Sequence, residues 1–514
     1  MNSTSSLLAN FSLFIHEFPW LTTILFALSL LPFLLSFWLI PGGFAWRNFS
    51  QSKKYPKLPG PFGLPFFGSL PLMGSIPHRK LSEVATRLGA TRLMAFSLGN
   101  TRMIISSDPE TAKDILCGTS FVNRPVKISA KILMFERAIG FAPSGDYWRQ
   151  IRRIAATHMF APKRISSLEG VRKNLSDEMI EEIVKEMGSN GLVEMKGILG
   201  KSSLCNVVES VFGRSLMSLE GLELRDMVEE GYELIGKFNW VDYFNFGFLD
   251  FHGVKRRCHK LSEKVRNLVG LFIGERRKDG DVNEKSDFLS VLLNLPQEDM
   301  LSDSDMVAIL WEMIFRGTDT VSILLEWIMA RMVLHPEMQA KAQDEIRSRV
   351  GNNRHVQDTD IPNLPYLQSI VKEVLRMHPP GPLMSWSRLA VEDVHIDKFF
   401  IPAGTTAMVN MWAITHDGSI WKDPSVFKPE RFIEQDVNVM GTDLRLAPFG
   451  AGRRVCPGKA LGLTTVHLWL ARLLQEFTWS AARPVDLSER LRLSMEMKNP
   501  VAYRVVRRNT MNSI

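Results

Sequence analysis

The chain has 514 residues, 45% hydrophobic and 23% charged, with a net charge of +7. That composition excludes large-scale disorder, and a length beyond the roughly 250–300 residues at which single cores stop growing leaves one large domain or several small ones. Lys and Arg are dispersed among Asp and Glu with no arginine-rich tract, which argues against a nucleic-acid partner and for a basic patch facing a membrane or an acidic protein.

The first element in chain order is "WLTTILFALSLLPFLLSFWLI", Trp20 to Ile40, an uncharged run of the ~20 residues needed to cross a bilayer as a helix. A cleaved signal peptide is the competing reading. Residues 1–19 hold no Lys or Arg, and the run exceeds an h-region of about 7–15 residues, so a transmembrane anchor is expected. Arg47, Lys53, Lys54 and Lys57 follow the span and only Glu17 precedes it, which places a short N-terminus (1–19) in the lumen and the body in the cytosol. Asn2 and Asn10 begin glycosylation patterns on the luminal side. Prolines 56, 59, 61 and 65 in "KKYPKLPGPFGLPFFG" predict a stiff, extended, basic hinge over 41–69. No later linker, repeat or low-complexity tract interrupts 70–514, which reads as one large domain.

Within that body "RLMAFSLGNTRMIISS" and "VHIDKFFIPAGTTAMVNM" carry turn residues at their centres and predict short strands. Helical periodicity dominates elsewhere, as in "VRKNLSDEMIEEIVKEM" and "LPYLQSIVKEVLRMHP", so the fold class is mainly α with a small β region. In "GDYWRQIRRI", Trp148 and Arg152 stand four apart on one helix face, where an indole donor and a guanidinium fork could grip one anionic group. An ordinary amphipathic basic helix is the simpler alternative. Arg388 in "SWSRLA" is a weaker candidate of the same kind.

A long helix is predicted from Ser304 to His335, about 45 Å at 1.5 Å per residue, and apolar enough to lie in the middle of a domain. Its centre reads Arg316, Gly317, Thr318, Asp319, Thr320. Glycine is costly there and Thr bonds back to carbonyls, which would allow a locally opened turn, with room at Gly317 and with Asp319 and Thr320 side by side for proton delivery. On this segment alone the simpler reading is an intact buried helix with a polar notch held by Glu312 and Arg316 at i,i+4. Further on, Glu373 and Arg376 in "KEVLRMHPP" stand three apart, for which a surface ion pair is the simplest account.

Four cysteines, at 117, 205, 258 and 456, form no Cys-x-x-Cys pair, which fits a reducing compartment without a disulfide framework. Cys456 lies in "FGAGRRVCPG", whose glycines would let backbone donors reach a thiolate and a flat ligand approach it. Arg453, Arg454 and Lys459 would stabilise the thiolate, and the helical "KALGLTTVHLWLARLLQ" behind it offers an N-terminus. A buried structural cysteine and a catalytic nucleophile remain open alternatives; zinc lacks neighbouring ligands.

Together these residues resemble the cytochrome P-450 family of haem-thiolate monooxygenases. Phe449, Gly452, Arg454, Cys456 and Gly458 match its cysteine-loop pattern, Glu373 and Arg376 its Glu-x-x-Arg with Arg431 as third member, Trp148 and Arg152 its Trp-x-x-x-Arg, and "RGTDT" its oxygen-activation turn. The stretches "FRGTDTVSILLEWIMARMVLHPEMQ" and "GFAPSGDYWRQIRRI" are similar to the plant microsomal subfamily that includes the organ-size regulator KLUH. Arg316 departs from the small Ala or Gly usual at its position. The resemblance implies the P-450 fold with a haem cofactor, Cys456 as the iron ligand, and Trp148, Arg152, Arg454 and Arg388 on the haem propionates. It further implies that Phe449 packs on the cysteine side and that Asp319 and Thr320 supply protons. No nicotinamide or flavin fingerprint occurs, so electrons are expected from NADPH–cytochrome P-450 reductase at the endoplasmic reticulum membrane. The implied reaction is hydroxylation of a lipophilic molecule, with fatty acids as the subfamily-level expectation; the alternative is an isomerase or lyase acting on a peroxide without reductase. A haem-sensing or scaffold role would leave the proton pair unexplained.

Overall fold

The computed structural model describes residues 19–38, 40–50, 55–215, 219–244, 250, 253–278, 287–383 and 387–508. Its centre is the helix Asp303–Leu334, opened by a capping box between Ser302 and Asp305 that satisfies backbone donors at its N-terminus. The helix is buried along most of its length, from Asp305 to Met332, because its sequence is apolar on nearly every face. Helices Met195–Phe212, Val254–Lys278, Pro365–Met377 and Lys459–Glu476 pack around it. Together they share a hydrophobic core that runs from Ala130 to Tyr503.

The backbone stays helical through 316–320 and Arg316 pairs with Glu312 at 3.2 Å, so the segment takes the intact-helix reading and the opened turn is not formed. The room beside Gly317 is taken by protein: a Cβ at that position would lie 2.8 Å from Val207 Cγ2. The glycine therefore serves the close approach of helix Met195–Phe212. Of the Thr residues, Thr318 is the one that bonds back, donating to the Ile314 carbonyl at 2.7 Å.

The predicted hairpin forms as Met94–Leu98 antiparallel to Thr101–Ser106, with Leu98 opposite Thr101 at the turn. Thr406–Val409 joins Thr101–Ser106 in parallel, and Arg388–Leu389 completes a four-stranded sheet. A parallel pair needs a crossover connection, and most of the helices lie inside this one, which brings Arg388 to the edge of the helical body. The proline-rich segment docks rather than bridging freely. Ala95 donates to the Pro59 carbonyl at 2.8 Å and Ser69 to that of Ser97 at 2.7 Å, so the segment flanks the hairpin.

Glu373 and Arg376 are not a surface pair. Both are 0% exposed, Arg376 grips Glu373 through two N–H donors at 2.8 Å each, and Arg431 joins the same carboxylate at 3.1 Å. Arg376 also donates to the carbonyls of Thr415 and Pro424, tying the helix to the segment that leads toward the cysteine loop.

The N-terminal helix runs Pro19–Trp38 with Pro32 inside it. Its described side chains lie within 20–32. Among the described residues no helix is long and apolar enough to cross a membrane. The expected luminal segment falls outside the described residues except for Pro19, as do 51–54 of the hinge.

Candidate active site

A cavity of about 1880 Å³, mouth included, opens between the central helix and the loop 448–458. Cys456 lies in its wall with Phe449, Pro457 and Gly458. The loop is closed by a bond from the Cys456 N–H to the Phe449 carbonyl at 2.9 Å. Gly450 and Gly452 have φ of 73° and 66°, in the left-handed region that favours glycine, and a Cβ on Gly452 would also press on Cys117 Cα at 2.9 Å. Helix Lys459–Glu476 starts three residues after the cysteine. The sequence thus shapes a rigid turn that presents one thiol beside a helix N-terminus.

The basic residues near the thiol divide. Arg453 is exposed, and Lys459 donates to the Met440 carbonyl at 2.7 Å. Arg454 is buried. It donates to the carbonyls of Val122, Ile139 and Ala142 at 3.1, 3.1 and 2.7 Å and stacks on Trp148, 4.2 Å from the ring centroid. The Trp148 indole donates to the Ile139 carbonyl at 3.0 Å, so Trp148 and Arg454 brace one another. Arg152, one turn along helix Asp146–His158 from Trp148, donates to the Val455 carbonyl beside Cys456. Arg388 donates to the Ala451 carbonyl at 3.2 Å.

Arg152, Arg388 and Arg454 all line the cavity, and with them Arg124 and Arg316. Burial pushes Arg388 and Arg454 down to about 10, and the mutual repulsion of Arg388, Arg152 and Arg454 adds to the shift at Arg454. Arg124 is driven well below its ordinary value by burial and then by Arg388, Arg316 and Arg454. One acid, Glu312, faces these five cations in the lining. So many desolvated guanidinium groups with so little compensation are costly unless an anion joins them, and a flat macrocycle bearing two carboxylates fits that need. Arg124 is the residue that sequence reasoning missed; in "VNRPVK" it is one of two cations, beside an amide, and no spacing marks it.

Thr320 lines the same cavity. Asp319 does not, and lies on the flank of the helix among Glu496, Glu229, Lys196 and Arg492. Burial, and then the carboxylates of Glu496 and Glu229, push its pKa up to about 6.

Residues 58–505 match the family model described as Cytochrome P450. The chain is 53% identical to cytochrome P450 78A5 of Arabidopsis thaliana over 97% of its own length and 98% of that protein. To cytochrome P450 78A6 of the same plant it is 50% identical, over 93% and 92%. To a flavonoid 3'-monooxygenase of Arabidopsis thaliana it is 34% identical, over 85% and 87%.

Proposed function

The chain belongs to the cytochrome P450 family and is a haem-dependent monooxygenase, and from that premise we propose that it is membrane-anchored and hydroxylates a lipophilic small molecule in its 70–514 catalytic domain, with electrons from NADPH–cytochrome P-450 reductase. The observation that carries the site assignment is the single thiol in the wall of a cavity whose lining holds five arginines and one acid. Cys456 would hold the iron, and Arg152, Arg388, Arg454 and Arg124 would hold the propionates, with Phe449 packed on the cysteine side; Trp148, expected on the propionates, lies outside the lining with its one N–H on the Ile139 carbonyl and would act by bracing Arg454. Haem bound there supplies oxygen activation, in which one oxygen atom enters a C–H bond and the other leaves as water at the expense of two electrons and two protons.

The protein's own part is to bind, orient and deliver protons. Thr320 offers a hydroxyl at the cavity wall, and Asp319, with its raised pKa, is a proton source on the same helix. Ile139, Val207, Met313, Val321 and Leu324 give the substrate an apolar bed, which favours a lipophilic molecule such as a fatty acid. The uncharged run Trp20–Ile40 with Arg47, Lys53, Lys54 and Lys57 behind it supports a single-pass anchor in the endoplasmic reticulum membrane with a cytosolic body. The net charge of +7 suits an acidic reductase. Thr320 in the cavity wall and a monooxygenase among the relatives favour oxygen insertion over rearrangement of a peroxide.

The test is Cys456→Ala in the full chain. The reduced-CO absorbance band of a haem-thiolate centre should vanish in the variant, and its survival overturns the ligand assignment. NADPH-dependent product formation with reductase in vesicles checks the rest; turnover of a hydroperoxide without NADPH, and none with it, would refute the reaction.

A further inference from the structure

The strands Glu489–Leu491 and Met495–Met497 pair as a two-stranded sheet of their own, three residues to a strand. So short a hairpin does not hold its place by itself, and contacts from outside must fix it. Its turn carries Leu493 and Ser494 into the cavity wall, where Pro380 and Gly381 also lie. The two lining segments meet at a backbone bond from the Met495 N–H to the Pro380 carbonyl at 2.9 Å, and the Trp327 indole donates to the Met495 carbonyl at 3.0 Å. Glu496 pairs with Arg490 and Arg492 inside the hairpin and with Lys196 outside it, and all three cations are partly open to solvent.

At the foot of the hairpin stands a buried charge. The Glu489 side chain is 2% exposed, accepts from Arg79 Nε and Nη2 at 2.8 Å each, and lies 3.1 Å from His78 Nε2. Arg79 and His78 come from helix Pro77–Arg87, the first long helix after the proline-rich segment. On the other side Glu489 Oε1 faces His378 Nδ1 at 3.8 Å. Arg331 of the central helix approaches His378 Nε2 with its Nε at 3.1 Å and its Nη2 at 2.8 Å. A guanidinium only donates, so Nε2 carries the lone pair and the ring hydrogen sits on Nδ1, toward the carboxylate. The ring stacks on Trp327 with centroids 3.9 Å apart and planes at 4°, which fixes its plane. Burial alone would raise the Glu489 pKa, yet His378, His78 and Arg79 hold its carboxyl well below the usual carboxylate range, and burial pushes His378 down to about 4. A fixed negative charge thus faces a neutral ring.

His378 leads directly into Pro380 and Gly381, and Glu489 opens the strand that leads into Leu493. We propose that Glu489 is a positioning residue of the substrate cavity: through His378 and Arg79 it fixes the turn at 493–494 against Pro380, and so sets the shape of the wall that a bound molecule meets. This rests on the haem-monooxygenase reading of the same cavity. Arg152 and Arg388 bond instead to carbonyls of the cysteine loop, so the wall can change while the cofactor site stays as it is.

The test compares the affinities of imidazole and N-dodecylimidazole for the full-length, haem-loaded chain in vesicles, read from the shift each causes in haem absorbance. Both present the same nitrogen donor, and only the dodecyl chain reaches along the wall. Glu489→Gln should weaken N-dodecylimidazole relative to imidazole by about 5- to 30-fold, the worth of part of one leucine's contact with the chain. His378→Phe keeps the stack on Trp327 and leaves Glu489 its bonds to helix Pro77–Arg87, and should shift the ratio in the same direction by less. Asp358→Asn controls for lost stability: it takes the counter-charge from fully buried Arg172, neither residue lines the cavity, and the ratio should stay within about twofold. An unchanged ratio in both Glu489→Gln and His378→Phe, or an equal change in Asp358→Asn, overturns the proposal. Loss of the reduced-CO band from both Glu489→Gln and His378→Phe overturns it as well, because the network would then serve folding alone. A band missing from the unmodified chain faults instead the haem-thiolate reading beneath it.

Discussion

Replacing Glu373 by Gln keeps the shape of the side chain and removes its charge. In the folded protein that carboxylate accepts from Arg376 Nε and Nη2 at 2.8 Å each, from the Lys428 N–H at 2.9 Å and from Arg431 Nε at 3.2 Å. Arg376 is 0% exposed and Arg431 is buried, so neutralising their shared partner leaves two guanidinium groups out of water without a counter-charge. Breaking a buried ion pair in this way costs about 3–5 kcal/mol. Arg376 keeps the Thr415 and Pro424 carbonyls and Arg431 keeps that of Lys422, which holds the cost toward the lower end of that range. Against a typical total of about 5–15 kcal/mol the loss is large, and at about 2.1 cal/mol/K of unfolding entropy per residue over a chain of this length it should lower Tm by roughly 3–5 °C. Thermal unfolding of the haem-loaded protein, followed at one scan rate by far-UV circular dichroism and by haem absorbance, measures it. Glu83→Gln, which breaks the exposed pair with Arg87, serves as the control and should shift Tm by about 1 °C or less. If Glu373→Gln moves Tm no further than Glu83→Gln, the reasoning from burial and charge is wrong.

Gly317→Ala gains about 1 kcal/mol of helix propensity but drives a methyl to 2.8 Å from Val207 Cγ2, an overpacking worth about 1–3 kcal/mol. The variant should therefore lose stability, and Gly317→Ala with Val207→Ala should be coupled favourably in a urea double-mutant cycle; strict additivity would count against the contact. Asp319 is protonated below about 6, so turnover that draws on its proton should fall as pH rises through that value, and Asp319→Asn should remove the inflection from the rate profile. Its folded pKa lies above its ordinary 3.8, so the stability carried by the protonated form is complete below 3.8 and is lost as pH rises toward about 6; unfolding curves of the Asn variant should lack that loss. Arg124→Ala should weaken haem retention in apo-myoglobin competition, because it removes one of the cations that the propionates would neutralise; unchanged haem loss would place Arg124 outside the cofactor site.

The helices and the cysteine loop were readable from local pattern. The 3.6-residue period gave Asp303–Leu334 and Pro365–Met377 to within a residue or two, and turn residues marked the hairpin at 94–106. What depends on partners far away in the chain was not readable. The Glu373–Arg376 spacing is by itself that of any surface pair; the family resemblance, not the spacing, names Arg431, 58 residues on, as its partner, and the carbonyls of Thr415 and Pro424 that complete the burial have no local signal. Arg124 is one cation in a loop until Arg388, Arg316 and Arg454 are brought around it. Gly317 carried a cost that pointed to space, and the space belongs to Val207.

The acid and the hydroxyl at 319 and 320 show how one local assumption propagates. Reading them as side by side required the helix to open, since consecutive residues of an intact helix point about 100° apart. The helix stays intact, and the two groups accordingly part: Thr320 lies in the cavity wall, and Asp319 faces Lys196, Glu496, Glu229 and Arg492. Lys196 and Arg492 both bond to Glu496 and are partly open to solvent, at 39% and 56%. Thr320 is exposed in the cavity wall and Asp319 is half-buried on the flank, so a proton passing between them, as proposed, must be carried by water or by a side chain such as Tyr232, which lines the cavity and senses the charge of Asp319.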